Sequence, residues 1–149
     1  MLKFARVVHF DNSDLSLYDP VAPSGEWAVS GGFAFADWQG AEDGKARNAF
    51  EKGWLGVGSF GRATAAMVAE IEPLQLGELR SRLAAYLARD HGAPDHKAAL
   101  AAADQEIAFM QELCESQDLN TVLLVHREMT EAGVHEECRA VKPRAATVH

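Results

Sequence analysis

The segment with the most legible chemistry is Gly56-Val-Gly58-Ser-Phe-Gly61, followed by Arg62. Its glycines fit G-x-G-x-x-G, a spacing that lets backbone amides approach phosphate oxygens. Arg62 adds a guanidinium, whose paired donors suit phosphate or carboxylate. Trp54, Gly56, Gly58, Ser59, Gly61 and Arg62 therefore form a candidate ligand-binding set for a small anionic metabolite. The context argues against a dinucleotide fold. That motif needs a strand before it and a helix after it, and the pattern here reads helix before, strand after. A strand after a glycine loop is the order in protein kinases, but the Val-Ala-x-Lys, His-Arg-Asp and Asp-Phe-Gly segments are missing. Tight turns explain the glycines with no ligand at all.

A second group lies near the C-terminus. With a three-residue loop at Glu131-Ala132-Gly133, a terminal hairpin would set Thr130 opposite Val134, Glu128 opposite Glu136 and His126 opposite Cys138. His126, Cys138 and the two glutamates would then share a sheet face, a set able to hold zinc or another divalent cation. No C-x-x-C accompanies them, and a small buried Cys138 with solvated acids explains them better. Neither a metal nor a cofactor is expected.

Nucleophiles and bases are not legible. Ser59 sits in Gly58-Ser-Phe-Gly61, one residue out of frame for a G-x-S-x-G elbow. Cys114 falls on the apolar stripe of a helix, where a thiol is inert. The six histidines form no H-x-H, H-x-x-x-H or H-E-x-x-H group, and a general base needs a partner. Each reads as structural or surface. Trp38, Trp54 and Phe60 are the candidate interaction surface, because aromatics concentrate at contact hot spots. Trp38 beside Gly40 and Trp54 beside Gly53 are the ones expected to be exposed.

These residues need elements to position them. Residues 2–10 alternate as a first strand, and residues 11–26, with Pro20, Pro23 and Gly25, read as a long loop. Residues 27–36 alternate heavy and small side chains, a strand with one thin face. Residues 42–52 read as a short helix, residues 53–61 as a turn-rich loop, and residues 63–71 as a strand closed by Pro73. Leu76, Leu79, Leu83 and Leu87 mark a first long helix, ended by His91-Gly92. Asp95 is placed to cap a second, whose stripe is Leu100, Ala103, Ile107, Met110 and Cys114. The hairpin follows, and residues 142–149 are expected to fray. Strands and helices do not alternate one for one. The expected fold is therefore α+β: a mostly antiparallel sheet of about five strands, with two long helices and one short helix packed on one face.

The chain has 149 residues, which favours a single domain. Net charge is −8, from 22 acids against 14 bases. An acidic surface repels phosphate backbones, so nucleic acid is not an expected partner. Two cysteines, no signal-peptide pattern and no long apolar run point to a cytoplasmic protein with no membrane partner.

Three blocks carry a family likeness: Glu26-Trp-Ala-Val-Ser-Gly-Gly-Phe-Ala-Phe-Ala36, Gly56-Val-Gly-Ser-Phe-Gly-Arg-Ala-Thr64 and Glu106-Ile-Ala-Phe-Met-Gln-Glu-Leu-Cys114. With them the chain resembles a small proteobacterial family of unknown function. The resemblance implies an accessory role and supplies no activity, cofactor or catalytic residue. The expected function is a cytoplasmic binding or accessory protein without catalysis, which self-associates or has a protein partner. The alternative is an anionic-metabolite-binding domain or small enzyme built on the loop at residues 53–62.

Overall fold

A computed structural model of the protein describes residues 1–40 and 43–141. The expected frayed tail, residues 142–149, lies outside the described residues, as does Glu42. The elements run β1 Lys3–Val8, α1 Asp14–Leu17, β2 Trp27–Val29, α2 Gly44–Lys52, β3 Trp54–Gly56, β4 Arg62–Ala63, β5 Ala65–Glu70, α3 Pro73–Asp90, α4 His96–Glu115, β6 Val122–Thr130 and β7 Gly133–Val141. The seven strands form one sheet in the order β4-β3-β2-β1-β5-β6-β7, and every pair is antiparallel. The α+β class and the antiparallel sheet agree with expectation. The counts do not: the sheet has seven strands rather than about five, and a fourth helix, α1, sits inside the expected long loop.

The extra strands come from the glycine segment. β3 and β4 form a tight hairpin in which the Gly56 amide donates to the Gly61 carbonyl at 2.9 Å. Gly61 packs against the backbone of Val21 and Ala22, where an added Cβ would lie 2.5 Å from a carbonyl carbon. Glycine there serves close approach of two chains. The second correction concerns residues 27–36. The strand ends at Val29, Gly31 turns left-handed at φ 75°, and Gly32–Phe35 forms a 3₁₀ turn. Only a glycine adopts that angle without strain, and the turn sets Phe33 against Tyr86 of α3 and Phe35 against Phe50 of α2.

The long helices follow their sequence signals. Pro73 opens α3, Gly92 follows its end at φ 72°, and the Asp95 carboxylate accepts the Ala98 amide at 2.7 Å. α3 and α4 pack together, and α4 lies on β1 and β2. The sheet curls strongly. Three strands lie between β3 and β6 in the order, yet the Trp54 indole N–H donates to the Leu123 carbonyl at 3.1 Å. Strand twist accumulates over seven strands until the two ends approach.

The terminal hairpin is present in a different register. Thr130 pairs with Gly133, His126 with Glu137, Arg127 with Glu136 and Glu128 with His135. The loop has two residues, because Gly133, at φ 111°, belongs to the ladder, and the Thr130 hydroxyl ties the turn by donating to the Gly133 carbonyl at 2.7 Å. A one-residue slip flips every side chain relative to its partner. His126 and Cys138 consequently lie on opposite faces, and the grouping that a three-residue loop would have made does not assemble.

Candidate functional site

Two polar regions stand out. The first surrounds the glycine hairpin. Ser59 donates to both Glu26 carboxylate oxygens, through its amide at 3.0 Å and its hydroxyl at 2.6 Å. The Gly61 amide donates to the Ser59 hydroxyl at 3.1 Å. A Cβ at Gly56 would run into Glu26, and one at Gly58 would come within 2.9 Å of it. The loop therefore holds an anion, and that anion is the chain's own Glu26. Arg62 does not point into this loop. Its buried guanidinium donates to the carbonyls of Gly53 at 3.1 Å and Gly31 at 3.2 Å, and lies over the Phe35 ring at 4.7 Å.

Arg127 completes that cluster from the other end of the curled sheet. It has no exposed surface. Its guanidinium donates to the carbonyls of Phe50 and Gly53, each at 3.1 Å, and to that of Ser30, and its Nε pairs with Glu136 at 2.7 Å. Cations suit a helix C-terminus, where carbonyls lack partners, and the Phe50 and Gly53 carbonyls lie at the end of α2. Burial, and behind it the Arg127 charge, push the Arg62 guanidinium down from its ordinary value. Burial also raises the nearby Glu106 carboxyl, with the Glu136 charge as second cause.

The expected contact aromatics divide. Trp54 is a correction: it is fully buried, not exposed, because its indole fills the inside of the curl. Trp38 is half-buried and stacks on Phe50 at 4.8 Å, and Phe60 stacks on Tyr86 at 3.9 Å.

The second region lies on the sheet face turned away from the core. The β6–β7 register puts Leu123, Val125 and Arg127 inward and leaves Val122, Leu124 and His126 outward. Above the outward residues is a cleft of about 510 Å³, walled by Val8, Phe10, Ala65, Val122, Leu124 and Val141. Its polar end is His9, Asp14 and Thr64. Asp14 is 6% exposed; one carboxylate oxygen accepts the Thr64 hydroxyl at 2.8 Å and the other accepts the Thr64 amide at 3.1 Å. A carboxylate only accepts, so Thr64 donates to Asp14 and Tyr18 donates to Thr64, at 2.8 Å. His9 Nε2 lies 3.6 Å from Asp14, is buried, and makes no hydrogen bond. Buried polar atoms in folded proteins are rarely left without a partner, so the one at this cavity wall is open to a water or a ligand.

A family described as "Family of unknown function (DUF6505)" has a profile that matches residues 1–149. The chain belongs to that family. No curated protein and no solved structure matches it. Within this DUF6505 chain, the glycine motif was visible in sequence and the cleft was not. His9, Asp14 and Thr64 are separated by up to 55 residues, and no spacing rule joins them. Arg127 was missed for the same reason. Among the described residues no group of three or more His, Cys, Asp or Glu could hold a metal ion, and no helix is long and apolar enough to cross a membrane.

Proposed function

We propose that this DUF6505 protein is a non-catalytic binding protein whose cleft takes a small molecule with an apolar body and a hydrogen-bond-donating head. The observation that carries it is the unpartnered His9 Nε2 beside Asp14 at the end of an apolar cleft. The volume falls in the range of small-ligand sites, which are apolar with a few convergent polar groups. The remaining lone pairs of the Asp14 carboxylate accept hydrogen bonds, and His9 Nε2 beside it has a bond left to make. A donor head such as an amine or hydroxyl satisfies them, and a carboxylate head is repelled. Burial pushes the Cys114 and Cys138 thiols each up to about 12, which argues against thiolate chemistry near neutral pH. The family resemblance supports a bacterial, cytoplasmic, accessory role.

The test is thermal unfolding with hexylamine, hexanol and hexanoate as probes. Hexylamine or hexanol raises the midpoint by mass action, hexanoate does not, and Asp14→Asn or His9→Phe removes the shift. Equal shifts from all three probes would reject the polar head.

A second reading keeps the glycine loop as an anion site. The support is that its donors already hold a carboxylate. An external anion must then displace Glu26, so Glu26→Ala is the protein to test with inorganic phosphate. No stabilisation of that variant by phosphate removes the reading.

A further inference from the structure

The two edges of the sheet are treated differently. The β4 edge is covered: residues 20–22 run alongside it, with the Ala22 amide donating to the Arg62 carbonyl at 2.9 Å and the Arg62 amide to the Pro20 carbonyl at 3.0 Å. The β7 edge is nine residues long, and no strand among the described residues pairs with its outer side. A long open edge is a template for another strand, and monomers usually blunt it with charges that repel a copy. β7 carries His135, Glu136, Glu137 and Arg139, charges of both signs.

A second copy that extends the sheet is related by a two-fold axis normal to it, so residues on the same face meet and the axis passes through one residue. The registers differ sharply. Centred on Glu136 or Glu137, two carboxylates meet at the axis; centred on Arg139, two guanidiniums do. Centred on Cys138, Glu137 faces Arg139 of the other copy twice, Glu136 faces Ala140, and His135 faces Val141, with no like charges directly opposed. Inside one chain, Glu137 lies opposite His126 and Arg139 opposite Leu124, and no ion pair among the described residues engages either. Their complement is supplied by the same pair on a second copy.

We propose that the protein dimerises through antiparallel β7–β7 pairing centred on Cys138, joining two seven-stranded sheets into one. The pairing rests on the charges of the β7 edge and not on a ligand in the cleft. Cross-strand charge pairs of this kind are worth measurable free energy, and like charges directly opposite are destabilising.

Sedimentation velocity of the full chain over a wide concentration series is the test. A reversible dimer is expected. Glu137→Arg or Arg139→Glu each weaken it roughly tenfold or more, and the double swap Glu137→Arg/Arg139→Glu restores it. Both side chains are exposed, so the melting midpoint of each variant serves as the folding control. Register is read separately in a Cys138→Ala background. His135→Cys protein mixed with Val141→Cys protein forms an intermolecular disulfide, because opposed Cα atoms lie within disulfide reach, and either variant alone does not. A chain that stays monomeric, or a dimer that ignores the single charge reversals, overturns the proposal.

Discussion

The arginine cluster and the cleft are both built from buried polar groups, and they end in opposite states. Around Arg62 and Arg127 the strong donors are directed inward, at carbonyls of the 3₁₀ turn and the end of α2, with Glu136 supplying the countercharge. Around Asp14 the network runs from Tyr18 through Thr64 to the carboxylate and stops at a cavity, with His9 Nε2 unbonded. A satisfied buried network specifies a fold; an unsatisfied polar atom on a cavity wall leaves a bond for a ligand to make. The most conspicuous charge in the sequence motif, Arg62, belongs to the first kind.

The largest effect that could break this contrast comes from Arg127→Ala. It leaves Glu136 without its guanidinium and the Phe50 carbonyl without its side-chain donor, and takes one of two arginine donors from Ser30 and Gly53, so it should cost about 4 kcal/mol in urea unfolding. His9→Ala removes no hydrogen bond and should cost under about 1 kcal/mol. A reversal of that order would mean the cleft, not the arginine pair, is the architectural centre.

Next comes Gly56→Ala, which drives a methyl into Glu26 and should cost about 2 kcal/mol. Most of that loss should disappear in the Gly56→Ala/Glu26→Ala background, read as a double-mutant cycle. Full additivity would show that the loop does not depend on its internal anion. Asp14→Asn should cost about 1 to 2 kcal/mol, since a carbonyl oxygen still accepts one Thr64 bond while the amide nitrogen meets a donor.

The smallest effect has the opposite sign. Burial raises the Glu106 carboxyl above its ordinary value, so its charged form opposes folding at neutral pH. Glu106→Gln should therefore stabilise the protein at pH 7, by under about 1 kcal/mol. The native chain recovers that difference as pH falls through the raised folded value toward the ordinary carboxylate value, where Glu106 is protonated in both states. Melting curves from pH 7 to pH 4 should thus converge, and a gap that widened on acidification would contradict the assignment.

Local signals carried much of the fold. The leucine stripe and Gly92 mark α3, Asp95 marks the start of α4, and a β-rich pair of segments marks β6 and β7. These depend on neighbours within a few residues, and so they are written in the sequence. The short strands β3 and β4 were hidden, because glycines that read as turn residues were there to admit Glu26 and residues 21–22. The 3₁₀ turn after β2 was hidden by an alternating pattern that Gly31 interrupts.

By itself, then, the sequence determined the α+β class, the two long helices and their caps, and the existence of a hairpin at the end of the chain, since each follows from periodicity or a single capping side chain. Tertiary structure alone decided the hairpin register, the burial of Trp54, the meeting of Arg62 with Arg127 and the convergence of His9, Asp14 and Thr64. The register follows from the turn, where Gly133 joins the ladder; the other three depend on how the strands pair and the sheet twists to bring residues from distant segments together. That is a property of the whole sheet, and no local spacing encodes it.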